Sequence, residues 1–139
     1  MKTISTIFAL AVTLLVAPSP CFALWGIVNV SNERAKELGM EVRSEPAGPN
    51  DVRVELEFKL EGKLKDFSQA DVRIGAGKNP LLTAPLREDR SKPGRVVVSF
   101  SAERGQLGII NLGVMVPESL GGTEYRLRVK DFVEPKKDR

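Results

Sequence analysis

The chain has 139 residues and a formal net charge of +3, and residues of both signs are mixed along its length. A dedicated nucleic-acid-binding protein would present a basic stripe or patch, so nucleic acid is not an expected partner. The sequence has no histidine and one cysteine, Cys21. This composition excludes Ser-His-Asp and Cys-His catalysis and the usual zinc sites.

The first 23 residues have the pattern of a cleavable export signal. Lys2 lies beside the amino terminus, an uncharged run extends from Ile7 to Ala17, and Cys21 and Ala23 are the small residues expected three and one before a cut. These are the three regions of a secretory signal. We therefore predict cleavage after Ala23 and an exported protein, periplasmic or extracellular. The chain that remains after cleavage has a net charge of +2, because the removed segment contains one lysine and no acidic residue.

Two alternatives to this interpretation exist. A lipoprotein signal would make Cys21 the lipidated residue, but Pro18 and Pro20 precede it and restrict the extended backbone that a peptidase must bind. An uncleaved anchor would need an apolar run of roughly 20 residues, and this run is shorter and leads directly into prolines. Cleavage would leave no transmembrane anchor and no cysteine in the mature chain.

The first elements of the mature chain are short. Leu24–Val30 predicts a strand, and Ser31 is the expected N-cap of a helix of about two turns that ends before Gly39. Met40–Arg43 predicts a further short strand. A helix this short must be held by packing.

The clearest pattern is the strict alternation over Asp51–Leu60. Every second residue is apolar and the residues between them are charged, as in a strand with one buried face. The apolar positions are Val52, Val54, Leu56, Phe58 and Leu60.

Five further segments predict strands. They are Asp71–Ile74, Leu81–Leu86, Val96–Ser101, Leu112–Val116 and Tyr125–Val129. The turn-rich segment Pro117–Gly122 joins the last two and predicts a hairpin.

Short strands separated by Gly- and Pro-rich turns predict a mostly β fold. We expect an antiparallel β-sandwich of about 7 to 8 strands with one short helix near the N-terminus. The pattern resembles the architecture of immunoglobulin-like or fibronectin-like domains, although the Cys…Trp…Cys core of antibody domains is absent. We predict one such domain over residues 24–133 and a frayed polar tail over residues 134–139.

No complete catalytic, cofactor or metal motif is present. Gly75–Lys78 is similar to part of a phosphate-binding loop, but Val72 stands where the first glycine of that motif is needed and Asn79 where Ser or Thr is needed. The acidic residues form no alternating calcium loop. Asn29–Ser31 matches a glycosylation sequon, although Ser31 is already explained as a helix cap. We therefore predict no cofactor and no metal.

Charged residues gather on one set of predicted loops. Successive loops of a sandwich alternate between its two ends, so Glu61–Gln69, Glu88–Gly94 and Pro117–Gly122 should share one end. Gly75–Pro80 and Glu103–Leu107 should share the other. Because rigid scaffolds present binding residues on loops, we predict a partner-binding surface at the first end, although ordinary solvated loops explain the same charges. Its candidate residues are Lys63, Lys65, Asp66, Glu88, Asp89, Arg90, Lys92 and Glu118.

Three functions are compatible with this chain. The sequence favours a non-enzymatic binding module whose partner is another protein of the envelope or extracellular space. An inhibitor or accessory subunit of an exported hydrolase is the second hypothesis, in which a loop such as Pro117–Gly122 enters an active site. The third is an enzyme that uses Asp, Glu or Lys as acid and base, but no carboxylate pair at a recognisable spacing supports it.

Overall fold

The computed structural model describes residues 24–75, 82–84 and 86–134, with nine strands in those residues. The strands are β1 Leu24–Asn29, β2 Glu41–Pro46, β3 Asp51–Lys59, β4 Gln69–Ile74, β5 Leu82–Ala84, β6 Arg87–Asp89, β7 Arg95–Glu103, β8 Ile110–Glu118 and β9 Gly121–Arg128. The helices are α1 Asn32–Glu37 and α2 Val129–Val133, with 3₁₀ helices at Gly62–Leu64 and Arg104–Ile109. The predicted export signal, residues 76–80 of a predicted loop and the tail from residue 135 lie outside the described residues.

The strands form two sheets in a β-sandwich-like arrangement. One sheet has the strand order β1-β9-β8-β4-β5 and the other the order β2-β3-β7-β6. All pairings are antiparallel except β1 with β9, which is parallel. The fold is therefore mostly β, as predicted, but the sheet that contains β1 is mixed rather than purely antiparallel.

The alternation predicted for Asp51–Leu60 is confirmed in β3. Its four apolar side chains are at most 2% exposed, while the charged residues between them face outward. Burying each such side chain stabilises the fold by about 1.5–3 kcal/mol relative to leaving it in water. The same core takes apolar residues from both sheets, among them Val72, Val96, Val98, Ile110, Leu112, Val114, Tyr125 and Leu127.

The helix α1 connects the edge strands β1 and β2, which belong to different sheets. Ser31 is its N-cap, and the hydroxyl oxygen accepts a hydrogen bond from the backbone N–H of Arg34 at 3.1 Å. Gly39 follows the helix with φ +69°, a conformation that favours glycine. Ala35 is buried in the core, so tertiary packing supports a helix that is too short to be stable alone.

Several predicted boundaries are wrong, and the predicted loop Pro117–Gly122 is reduced to the two residues between β8 and β9. Glu88 and Asp89 do not lie in a loop, because they form β6 with Arg87 and pair with β7. Glu118 is the last residue of β8 rather than a loop residue. Val129 starts α2 instead of extending the last strand.

The predicted strand Leu81–Leu86 is found only over residues 82–84, since Leu86 is not in a strand and residues 81 and 85 lie outside the described residues. Strand β5 pairs with β4 in one sheet, whereas β6 begins at Arg87 in the other. Of the helices in the described part of the chain, none is long and apolar enough to cross a membrane.

Candidate functional site

Backbone hydrogen bonds bring three chain segments to one end of the sandwich. The N–H of Leu60 donates to the carbonyl of Gly94 at 2.8 Å, and the N–H of Ser68 donates to the carbonyl of Met115 at 3.0 Å. The segment 61–68 therefore lies beside the turn that precedes β7 and beside β8. Because β8 and β9 join through Ser119 and Leu120 at this same end, we call it the hairpin end.

The opposite end is built from other segments. The N–H of Gly75 donates to the carbonyl of Ile109 at 2.9 Å, and that of Arg104 donates to the carbonyl of Asn50 at 2.8 Å. The described residues thus separate the loops between two ends, which is the separation that a sandwich imposes on successive strands.

A cleft of about 350 Å³ opens at the hairpin end. We call it the end cleft, and its lining residues are Val28, Arg34, Lys63, Val116, Glu118, Thr123 and Tyr125. The apolar lining comes from three neighbouring strands, β1, β8 and β9, whereas Arg34 comes from α1 and Lys63 from the 3₁₀ helix that follows β3. An apolar surface with a few polar groups around it is the usual composition of a binding pocket.

Some polar groups of the end cleft already have hydrogen-bond or salt-bridge partners within the protein, and one has none among the described residues. Arg34 donates to the carboxylate of Glu37 at 2.6 Å, and the hydroxyl of Thr123 donates to the carboxylate of Glu118 at 3.1 Å. Lys63 forms no salt bridge with any described residue and is exposed. Its ammonium group is therefore the charge that is best placed to pair with a carboxylate or carbonyl of a ligand.

A second open cleft shares Arg34 and Lys63 with the end cleft. It measures about 650 Å³ and is lined by Arg34, Lys36, Glu37, Leu38, Gly39, Glu61, Gly62 and Lys63. Both cations therefore line both clefts. A ligand that follows both clefts would contact both basic residues.

The structure divides the predicted site residues into two groups. Lys63 and Glu118 line the end cleft, and Lys65 and Asp66 are exposed on the same segment as Lys63. The other four lie on β6 and the turn after it, and they are Glu88, Asp89, Arg90 and Lys92.

The second group is connected to segment 61–68 by Arg90. Its guanidinium lies 4.9 Å from the ring centroid of Phe67 and donates to the carbonyl of Ser68 at 3.0 Å. Glu88 accepts a hydrogen bond from Arg90 and fixes the guanidinium from the other side. These contacts give Arg90 and Glu88 a structural role in holding two segments together.

Asp89 and Lys92 belong to the turn itself. The carboxylate of Asp89 accepts from the backbone N–H of Ser91 at 2.8 Å. Hydrogen bonds from the side chain and backbone of Ser91 lower the pKa of Asp89. Lys92 is exposed one residue further along.

Five residues that line the end cleft are not among the candidates predicted from the sequence: Val28, Arg34, Val116, Thr123 and Tyr125. Tyr125 is buried, with 6% of its surface exposed, and it lines the end cleft as well. The missing information was the parallel pairing of β1 with β9, since that pairing places Val28 beside Tyr125. No local pattern in Leu24–Val30 specifies its partner strand.

A separate cluster of four charges lies across β4 and β9 around Gly113. Arg73 donates to Asp71 and to Glu124, each at 2.9 Å, and Arg126 donates to Glu124 at 3.0 Å. Burial alone would lower the pKa of Arg73, but the hydrogen bonds and charges of Asp71 and Glu124 outweigh burial and raise it. The cluster is explained as a salt-bridge network, although one carboxylate oxygen of Asp71 is buried without a described partner.

The described residues contain no group of three or more acidic, histidine or cysteine side chains that could hold a metal ion. No family model matches the chain, and comparisons with curated proteins and with solved structures give no significant match.

Proposed function

We propose that this chain is an exported, non-enzymatic binding protein that recognises another protein of the envelope or extracellular space through the end cleft. The observation that carries the proposal is the composition of that cleft. Val28 is half-buried and offers an apolar surface to a partner's side chain, together with the small exposed parts of the buried Val116 and Tyr125. Lys63 offers an exposed cation that forms no salt bridge with a described residue. Apolar contact with a few placed polar groups is the general basis of specific recognition.

Two sequence features support the same function. The export pattern of the first 23 residues supports a site of action outside the cytoplasm. The absence of histidine and of cysteine after residue 21 leaves few groups for general base or nucleophilic chemistry near neutral pH.

The strand order supports an immunoglobulin-like arrangement. Immunoglobulin domains pair strands A-B-E-D in one sheet and C-F-G in the other, and variable-type domains extend the second sheet with C′. The order β2-β3-β7-β6 is compatible with A-B-E-D, and the part β9-β8-β4-β5 of the other sheet is compatible with G-F-C-C′, with β1 as an additional parallel strand beside β9. Such domains commonly bind proteins, but one fold hosts many functions, so the cleft and not the fold carries the proposal.

Site-specific photo-crosslinking tests the proposal. A photo-reactive amino acid is incorporated in the full chain at Glu118, which lines the end cleft and is exposed, and in a matched variant at Ser101, which is exposed on β7. We expect a defined protein partner to crosslink from position 118 and not from position 101. The Lys63→Ala and Arg34→Ala changes should each reduce the crosslink from position 118, whereas Arg104→Ala at the opposite end should not. Equal crosslinking from both positions would contradict a site at the end cleft.

The inhibitor hypothesis has one specific observation in its favour. Leu120 lies at the tip of the β8–β9 hairpin and is 87% exposed. A single projecting apolar side chain on a tight turn suits insertion into the active site of an exported hydrolase. If this alternative is correct, Leu120→Ser should abolish inhibition of a co-purifying hydrolase, and Arg34→Ala should not.

A further inference from the structure

The four edge strands of the two sheets are protected very differently. Unpaired strand edges tend to pair with other chains, and proteins protect them by making the strand short, charged or interrupted by proline. The edge strands β5 and β6 have three residues each. The edge strand β2 has charged residues at Glu41, Arg43 and Glu45 and ends at Pro46.

The fourth edge strand, β1, has none of these protections. It is six residues long, contains no charged residue and exposes three apolar side chains. Leu24 is 82% exposed, Ile27 52% and Trp25 38%. In the described residues β1 pairs only with β9, so the N–H and C=O groups on its other edge have no strand partner there.

We infer that β1 is a self-association site, at which a second copy of this chain pairs with it in antiparallel orientation and joins the two five-stranded sheets. The groups left unpaired on β1 are backbone donors and acceptors, and an extended strand satisfies them best. This inference goes beyond the proposed function, because it assigns the unpaired edge of β1, which shares only Val28 with the lining of the end cleft.

The uncharged side chains of β1 can lie against the β1 side chains of a second copy without repulsion. For this reason we expect the partner strand to come from a second copy of this chain. A two-fold interface places a surface against the same surface, so a charged edge such as β2 would repel its copy. The strand β1 has no charged side chain. The one charge, the α-ammonium group that the predicted cleavage after Ala23 leaves on Leu24, lies at the end of the strand and faces an uncharged residue of the other copy in the register below.

The alternation of side chains selects the register. Antiparallel partners in a continuous sheet lie on the same face, so Trp25 of one copy faces Ile27 of the other when the two-fold axis passes beside Gly26. Leu24 then faces Val28. A pair of an aromatic and a β-branched residue, such as Trp25 with Ile27, is among the favourable cross-strand pairs. Because of the two-fold symmetry, the Trp25–Ile27 pair and the Leu24–Val28 pair each occur twice in the dimer.

The test is sedimentation velocity of the protein expressed from the full chain over a range of concentrations. We expect a concentration-dependent monomer–dimer equilibrium. Ile27→Lys should raise the dimer dissociation constant at least about tenfold, because the charge would have to be buried beside an apolar strand. The matched change Ile109→Lys alters another exposed isoleucine, 43% exposed, and should leave the dimer intact.

A charge-pair experiment separates a second copy from other occupants. In the proposed register the two Ile27 side chains are diagonal neighbours, about 7–8 Å apart and within reach of long side chains. Ile27→Lys and Ile27→Glu should each be monomeric alone and should form a heterodimer when mixed. The inference is overturned if the wild-type chain stays monomeric, or if Ile27→Lys and Ile109→Lys behave alike. It is also overturned if Ile27→Lys releases a different protein from a monomeric chain.

Discussion

The indole ring of Trp25 lies directly over Gly122. A Cβ atom on Gly122 would lie 2.5 Å from Cζ3 and 2.6 Å from Cη2 of the ring, and 2.6 Å from the carbonyl oxygen of Val116. Trp25 and Gly122 are register partners in the parallel pair of β1 and β9. The missing side chain at position 122 therefore lets the aromatic ring of the edge strand close against β9.

Gly122→Ala should destabilise the protein by about 1–3 kcal/mol, because the added methyl meets both a ring and a backbone atom. Chemical denaturation measures this loss. Trp25 is the only tryptophan, so a red shift of its native-state fluorescence should accompany the change if the ring is displaced. Gly105→Ala is the control, since a Cβ there has no neighbour within 4 Å. Equal stability of the two variants would contradict the predicted clash with the Trp25 ring and the Val116 carbonyl oxygen.

Glu124 is the centre of the charge cluster on the five-stranded sheet, and it is only 4% exposed. Its carboxylate accepts from both Arg73 and Arg126. Glu124→Gln removes the negative charge while keeping the shape, and should lower the free energy of unfolding by about 1–3 kcal/mol, as for hydrogen bonds to charged groups.

The control for this prediction is Glu37→Gln. Its carboxylate also pairs with an arginine, Arg34, but is 63% exposed. An exposed pair contributes about 0–1 kcal/mol. Urea denaturation of both variants at neutral pH provides the comparison. A loss at Glu37 that equals the loss at Glu124 would mean that burial of the cluster is not what gives it its strength.

Glu57 makes stability depend on pH. Burial would raise its pKa, but the charges and hydrogen bonds of Arg95 and Arg43 outweigh burial and lower the pKa below its ordinary value of 4.5. A carboxyl with a lowered pKa in the folded state stabilises the fold above its unfolded pKa, and this contribution is lost as the pH falls through the folded pKa. Wild type should therefore be more stable than Glu57→Gln at pH 7. This difference in the free energy of unfolding should become smaller as the pH falls below 4.5, the ordinary pKa of a glutamate carboxyl.

Urea denaturation from neutral pH down to the acid range measures this difference. The control is Glu61→Gln, which alters an exposed carboxylate with no salt bridge among the described residues. A gap between wild type and Glu57→Gln that stays the same at every pH would contradict the assignment of this pH dependence to Glu57.

The strands that the sequence predicts best are those whose pattern comes from burial. β3 alternates because one face contacts the core and the other contacts water, so Val52 and Phe58 identify it without reference to any partner. β6 has no such pattern: Arg87, Glu88 and Asp89 are all exposed, and the strand exists because it pairs with β7. A strand that forms only because a neighbouring strand pairs with it cannot be predicted from the alternation of apolar and polar residues.

The same limit applies to the candidate site. Lys63 and Glu118 could be placed at one end from the order of strands and loops, because each loop follows a strand whose direction is fixed by the one before. Arg34 could not, since its position depends on α1 crossing between β1 and β2. The apolar side of the end cleft could not be predicted from the sequence either, because Val28 and Val116 are apolar strand residues that look the same as residues of the core.

The N-cap of α1 links stability to the end cleft. The Ser31 hydroxyl accepts from the backbone N–H of Arg34, whose side chain lines that cleft. Ser31→Ala should cost about 1 kcal/mol of stability and should weaken partner crosslinking from position 118, because the first turn that positions Arg34 loses its cap. Thermal denaturation and the crosslinking yield measure the two effects. Ser31→Asp is the matched control: it restores a capping oxygen but, like Ser31→Ala, it removes the Asn29 sequon. If Ser31→Asp behaves as wild type, the cap is responsible, whereas a defect equal to that of Ser31→Ala would contradict this prediction and direct attention to Asn29.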